Sequence, residues 1–268
     1  MKNKPLVSIL IASHNKEKYV KRCINSCLNQ TYKNIEIIFV DDGSKDKSYQ
    51  IAKQFKNIRV FKKKRIRLKK NFNTFFQIDT YLYAFNKSKG KILSLLDSDD
   101  FYTKNKIANI VKFFDKKRMS NIVFNKPIVY HSKDRFFLDN KSKNRRNMWP
   151  KFPPCSCISI KRNFFKGICN EITLKKYPLL TLDFRLAVIS KLVFNDFKIL
   201  NKHLTYYFQD PKGESSKFKK FSKNWWLRRL EAHEYFNYII KKNKVKKLSK
   251  VNIRKLDYVI TKFMNNFF

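Results

Sequence analysis

Glycine is scarce in this chain, with four residues among 268. That excludes a glycine-rich phosphate loop and the dinucleotide and Walker fingerprints built on one. Acids are scarce too: 20 Asp and Glu stand against 61 Lys and Arg, a formal net charge of +41. No apolar run approaches the length of about 18–20 residues that spans a bilayer. The N-terminal Met1-Lys2-Asn3-Lys4-Pro5 leads straight to an apolar segment without the h-region of a signal peptide, so a cytoplasmic protein is expected. The five cysteines form no repeated C-x-x-C pattern. Cys23 and Cys27 share an apolar helical stripe, Cys155 and Cys157 form a C-x-C, and Cys169 is alone, so buried free thiols are expected.

Against so few acids, Asp97-Ser98-Asp99-Asp100 stands out. It closes an apolar run over 92–96 that reads as a buried strand. Neighbouring carboxylates repel one another unless a cation sits among them. An Asp-x-Asp at a strand end suits Mg²⁺ or Mn²⁺, hard ions that take oxygen ligands and bridge to substrate phosphates. The competing reading is an acidic turn and helix cap.

Further strand ends carry polar clusters. Val7-Ser8-Ile9-Leu10-Ile11-Ala12 reads as a strand, broken by Ser13-His14-Asn15. Residues 18–29 repeat apolar side chains at helical spacing, ended by Gln30-Thr31-Tyr32. A second strand over 35–40 closes in Asp41-Asp42-Gly43-Ser44, where Gly43 suits a turn with positive φ. A helix over 46–55 and a strand over 58–61 follow. This alternation predicts an α/β fold with a parallel sheet covered on both faces. Ligands bind such sheets at the strands' carboxyl ends, where all three clusters fall.

Together these segments, with Ser88-Lys89-Gly90 before the acidic cluster, resemble family-two glycosyltransferases of GT-A fold. The resemblance covers residues 6–115 well and continues weakly to about 220. It implies a Rossmann-like, mostly parallel sheet sandwiched by helices. It also implies a nucleotide-diphosphate-sugar donor, Mg²⁺ or Mn²⁺, and inversion at the anomeric carbon. Ala12, Ser13, His14 and Asn15 match the segment that grips the nucleobase. Most members read Pro-x-Tyr-Asn there, so His14 stands where Tyr is usual and the Pro is lost. Asp42 matches the carboxylate that accepts from the base. Asp97 matches the acid that reaches the ribose or the metal's water shell, with Ser98 beside it on the donor. Asp99 matches the direct metal ligand. Asp100 matches nothing firm and is read as a cap for the next helix.

The family's general base lies downstream, in an acidic pair at a helix start. Leu180-Thr181-Leu182-Asp183 fits, with Asp183 as the catalytic base and Leu182 where many relatives carry Glu. Helix capping by Thr181 or Asp183 is the alternative. Asp196 and Asp210 compete for the role, and Lys212 and Lys217 are candidates to close over the phosphates. Residues 152–160 read as a turn and strand on the acceptor side. Residues 122–130 read as a strand and 134–149 as a long loop.

Two basic clusters exceed the background of an Asn-, Ile- and Lys-rich composition. One is 62–70. The other, 217–255, has fourteen Lys and Arg against Glu231 and Glu234, with Trp225, Trp226, Tyr235 and Phe236 at helical spacing. Such a segment either lies on an anionic membrane or packs its aromatics on the domain with its lysines in water. The expected organisation is a catalytic domain over 1–215, with a nucleotide-sugar half over 1–115 and an acceptor half over 116–215. A basic aromatic helical extension follows over 216–268. The expected function is inverting transfer of a sugar to a glycan or lipid-linked acceptor in bacterial cell-surface polysaccharide synthesis. The site of action is the cytoplasm or the inner face of the membrane. A basic nucleic-acid-binding protein without transferase activity is the alternative, though no zinc-finger, RNP-like or helix-turn-helix signal supports it.

Overall fold

A computed structural model of the chain describes residues 4–65, 73–130, 135–137, 152–173, 175–209, 213, 217–245 and 252–267. The elements in order are β1 (Val7–Ser13), α1 (Glu17–Leu28), β2 (Ile35–Asp41), α2 (Ser48–Lys53), β3 (Arg59–Lys62), α3 (Asn73–Lys87), β4 (Ile92–Asp97), β5 (Phe101–Tyr102), α4 (Lys106–Lys116), β6 (Ile122–Tyr130) and β7 (Arg135–Phe137). A 3-10 turn (Cys155–Cys157), β8 (Ile158–Lys161), α5 (Arg162–Gly167), α6 (Cys169–Ile172), α7 (Leu182–Leu192), β9 (Ile199–Phe208), α8 (Lys223–Lys242) and α9 (Asn252–Asn265) follow.

The described strands form one sheet in the order β3-β2-β1-β4-β8-β6-β9-β5, with β7 on β6. The first four run parallel, as their helical crossovers require. β8 is antiparallel to both β4 and β6, while β6 and β9 are parallel. Side chains alternate across β1, so its two sets of apolar residues enter different cores. Val7, Ile9 and Ile11 face α1, α2 and α4, whereas Leu10 and Ala12 face α3 and the later helices. Burial on both faces explains why β1, β2 and β4 read as unbroken apolar runs rather than alternating ones.

Two sequence expectations change, and one helix has no sequence motif. The helix expected over 46–55 is shorter, because Asp46 accepts from the backbone N–H groups of Glu17 and Ser48, both at 3.0 Å, and holds a turn before α2. α3 was unmarked by any motif, yet it buries Tyr81 and Ala84 under the sheet. The loop expected over 134–149 contains β7, which pairs antiparallel with the end of β6; its other residues lie outside the described ones. The five cysteines are free, and four of them are buried.

Gly90 is required by close approach rather than by φ. A Cβ there would lie 2.5 Å from Ser8 Oγ, which accepts from the Gly90 N–H at 2.8 Å. The α8 aromatics pack inward, with Tyr235, Phe236 and Ile239 fully buried in the larger core beside α7. No helix among the described residues is long and apolar enough to cross a membrane.

Candidate active site

The carboxyl ends of β1, β2 and β4 form the floor of a cleft of about 530 Å³. Ala12, Ser13, His14, Asn15, Asp42, Asp97, Ser98, Asp99 and Asp183 all line it, drawn from four separate segments of the chain. The chain crosses from β1 to α1 through Asn15, which takes a positive φ of 52°. His14 Nδ1 lies 2.9 Å from the Asp42 carbonyl oxygen, which ties the end of β1 to that of β2. Burial, and then the Arg65 charge, hold the His14 pKa below its usual value. Gly43 has φ of 68°, the left-handed turn expected there, and Asp41 braces it by accepting from the Ser44 N–H at 3.0 Å.

Asp42 is buried beside two cations. Lys63 Nζ lies 3.0 Å from one carboxylate oxygen and Arg65 3.5 Å from the other. Burial nevertheless keeps the Asp42 pKa above the ordinary aspartate value, against the pull of Lys63. Lys63 also bridges to Asp79 of α3. Arg65 stacks 4.1 Å from the centre of the Phe76 ring. Part of the first basic cluster thus forms one wall of the cleft; 66–70 lie outside the described residues.

The acidic cluster divides into three different environments. Asp97 Oδ1 accepts from Gln77 Nε2 at 2.7 Å and from the Tyr81 hydroxyl at 2.9 Å. Its pKa is pushed up to about 7, by burial first and then by the Asp99 charge. Ser98 donates to Ser13 Oγ at 3.0 Å, stitching β4 to β1. Asp99 faces the cleft, and its Oδ2 lies 2.7 Å from Lys16 Nζ. Asp100 points away. It does not cap α4 as expected, but is buried and accepts from the Phe208 N–H at 2.8 Å, fixing the end of β9. Burial and the two flanking aspartates push its pKa well up.

Asp183 reaches the same cleft from α7. It is in the first turn of α7 rather than before the helix, where the amide dipoles favour a carboxylate. Its Oδ1 accepts from the Phe184 N–H at 2.7 Å. Burial raises its pKa, with Thr181 and Arg228 opposing. Leu182 is fully buried in the larger core, so a Glu at that position would sit among apolar side chains. Asp196 is remote from the cleft. It follows α7 and accepts from the Asn121 N–H at 2.5 Å, a role in the turn. Asp210 and Lys212 lie outside the described residues, while Lys217 lines the cleft.

Sequence reasoning missed several cleft residues. Lys16, Gln77 and Thr80 had no motif, although the apolar spacing of 76–85 contained a helical signal. Arg228 reaches the cleft from α8, with its Nη2 3.4 Å from Thr181 Oγ1. Nothing in its surrounding sequence separates it from the other basic residues of that helix.

Among the described residues, no three His, Cys, Asp or Glu side chains converge to hold a metal ion. The donor set still fits a hard cation that takes most of its ligands elsewhere. Asp99 presents carboxylate oxygen to open space, and Mg²⁺ commonly binds through one or two carboxylates plus substrate phosphates.

Residues 8–171 match the family described as Glycosyl transferase family 2. An uncharacterized glycosyltransferase of Haemophilus influenzae is 39% identical over 111 residues, 41% of this chain and 43% of that protein. The Escherichia coli protein WfaP, a UDP-Glc:alpha-D-GlcNAc-diphosphoundecaprenol beta-1,3-glucosyltransferase, is 35% identical over 114 residues, 42% of this chain and 43% of the relative. These matches span less than half the length of either relative. Among solved structures, residues 1-349 of Staphylococcus aureus TarS in complex with UDP-GlcNAc superpose with a TM-score of 0.66 at 18% identity, over 97% of this chain and 72% of that one. The Pyrobaculum calidifontis mannosyltransferase PcManGT, in complex with GDP-Man and Mn²⁺, gives 0.53 at 12% identity, over 90% and 65%. At such identities the structural likeness shows the GT-A fold alone. The family match covers more than half of the chain, which therefore belongs to glycosyl transferase family 2.

Proposed function

We propose that the protein moves a sugar from a nucleotide-diphosphate donor to a hydroxyl of a glycan or lipid-linked acceptor, inverting the anomeric carbon. The observation that carries this reading is the convergence of Asp42, Asp97, Asp99 and Asp183 on a single cleft. The nucleoside fits against the ends of β1 and β2, with Asp42 as acceptor for a base N–H and the His14 ring as a flat apolar face. Asp97, held by Gln77 and Tyr81, faces the ribose. A Mg²⁺ or Mn²⁺ ion held by Asp99, with Asp97 in its water shell, would neutralise charge on the leaving diphosphate. Lys16, Lys217 and Arg228 add positive charge around the same space.

Asp183 is the general base. It takes the proton of the acceptor hydroxyl as that oxygen attacks the anomeric carbon from the face opposite the diphosphate. A carbon–oxygen bond forms, the bond to the diphosphate breaks, and the nucleoside diphosphate departs. Its raised pKa suits a group that must accept a proton near neutral pH.

WfaP's lipid-linked acceptor supports a polyprenyl-diphosphate-linked glycan as acceptor here, and with it a role in cell-surface polysaccharide synthesis at the inner face of the membrane. We prefer transfer to nucleic-acid binding because residues 8–171 match glycosyl transferase family 2. The test is donor binding across UDP-, GDP- and dTDP-sugars with Mn²⁺, followed by proton NMR of the product. Binding of one donor class and a product of inverted configuration are expected. Failure of every donor to bind, or retention of configuration, would overturn the reading.

A further inference from the structure

The last helix is docked with its polar face inward. Asp257, Thr261 and Asn265 recur at four-residue spacing and face α8. Asp257 pairs with Arg229 and lies 2.8 Å from His233 Nε2. Thr261 is fully buried, and Asn265 Nδ2 donates to the Trp226 carbonyl at 3.1 Å. These contacts run α9 antiparallel along the first half of α8. The opposite face carries Leu256, Val259, Ile260 and Phe263, at i, i+3, i+4 and i+7, continued by Phe267 beyond the helix end. All five are between 45 and 67% exposed.

A surface helix of a globular protein normally turns such a stripe to the core. Here the polar face has been used for docking, and the apolar stripe is presented outward on a rigid support. We propose that this stripe is the surface that seats the protein on an anionic lipid bilayer. The inference deepens the peripheral placement proposed above by naming its residues. It moves the contact away from the α8 aromatics, several of which are buried.

Charge selects the occupant. In sequence, 217–255 has fourteen Lys and Arg against two acids; among the described residues Lys219, Lys220, Lys223, Lys241, Lys242 and Lys244 are exposed on or next to α8, and Lys262 is exposed on α9 itself. A helix with an outward apolar stripe beside dense positive charge matches an interface-lying helix drawn to anionic headgroups. A second copy would bring +41 against +41, which opposes self-association through this region. The placement also serves the proposed chemistry. Arg228 on α8 lines the cleft while Trp226 and Arg229, its close neighbours, hold α9, so the stripe and the cleft share one supporting helix.

The experiment is cosedimentation of the full chain with vesicles of phosphatidylglycerol and phosphatidylcholine in equal parts, and with phosphatidylcholine alone. The double variant Leu256→Ser, Phe263→Ser is compared with wild type, and donor binding and melting temperature are read on the same samples. Both positions are exposed, so folding should be retained. Wild type should bind the anionic vesicles and bind the neutral ones far more weakly. The variant should bind the anionic vesicles roughly tenfold or more weakly, from the lost apolar burial, with donor binding unchanged. Equal vesicle binding by variant and wild type would overturn the proposal. So would a wild-type dimer that the variant converts to monomer, since a second copy would then occupy the face. If vesicle binding depends on these residues but no donor binds, the lipid surface stands and the transfer reading falls.

Discussion

Lys16 Nζ sits 2.7 Å from Asp99 Oδ2, so a lysine already occupies one side of the carboxylate best placed to receive a metal ion. Lys16 lies just before α1 and Asp99 just after β4, and parallel pairing of β1 with β4 brings the two together. Any cation at Asp99 must compete with this ammonium or draw it onto the donor's diphosphate.

Two substitutions separate these cases. Asp99→Ala should abolish divalent-dependent binding of a nucleotide-diphosphate sugar, measured by calorimetry, while Asp115→Ala near the end of α4 should leave it intact. Lys16→Met should lower the Mn²⁺ concentration for half-maximal donor binding by roughly three- to tenfold, as expected when one close unlike charge is removed from a part-exposed pair. A rise instead would mean that Lys16 chiefly holds the diphosphate. Wild-type binding by Asp99→Ala would remove Asp99 from the site.

Burial of Lys106 predicts a pH signature unrelated to the cleft. Its ammonium donates to Thr205 Oγ1 at 2.9 Å and to the Ser156 carbonyl, and lies 3.7 Å from the centre of the Tyr102 ring. Burial lowers its pKa to about 7. In the unfolded chain a lysine holds its proton to about pH 10.4. Between those values the unfolded state binds more protons, so this group makes stability rise with pH from about 7 to about 10.4, and that gain is lost as pH falls back from about 10.4 to about 7. Urea unfolding at pH 7 and pH 9 should show wild type gaining more stability than Lys106→Met across the interval. Parallel changes in both proteins would show that Lys106 is charged in the folded state.

The α8 aromatics give a stability prediction. Phe236 is fully buried in the core that also holds Leu186 and Ile189 of α7. Phe236→Ala should cost about 3–5 kcal/mol, the usual penalty for deleting a buried ring, read as a lower urea midpoint. Phe263→Ala, on the outward stripe of α9, should change stability by less than about 0.5 kcal/mol. A chain ended at residue 215 loses Tyr235, Phe236 and Ile239 from this core and should fail to fold cooperatively.

The strands β1, β2 and β4 were legible because each is buried on both faces and reads as an apolar run. The residues at their ends were legible because breaks in such runs are polar and short. α3 was not, since Gln77 and Tyr81 find their partner Asp97 twenty and sixteen residues away, and nothing local marks that partnership. Asp100 was misread because its partner, the Phe208 N–H, is 108 residues distant. Arg228 was hidden among many basic residues of the same helix. The stripe of α9 holds fewer aromatic residues than α8, and only the packing of the two helices decides which of them keeps its apolar face outside.

Asp183 and Asp196 stand thirteen residues apart near opposite ends of α7, and the structure gives them different work. Asp183 faces the cleft, while Asp196 holds the Asn121 N–H at 2.5 Å away from it. Replacing Asp183 with Asn keeps its size and its acceptor oxygen for the Phe184 N–H but removes the basic site. Transfer should fall by about two orders of magnitude or more, the usual loss with a general base. Donor and metal binding should change little, because the base acts on the acceptor hydroxyl. Asp196→Asn should leave turnover near normal and read instead as a modest loss of stability of about 1–2 kcal/mol, from a weakened bond to a buried-side amide. The measurement is product formation under saturating donor, with donor affinity determined separately. Wild-type turnover by Asp183→Asn together with collapse in Asp196→Asn would place the chemistry at the other end of the helix. Full activity in both would mean that the acceptor hydroxyl is deprotonated without either carboxylate, and the general-base step would have to be abandoned for this chain.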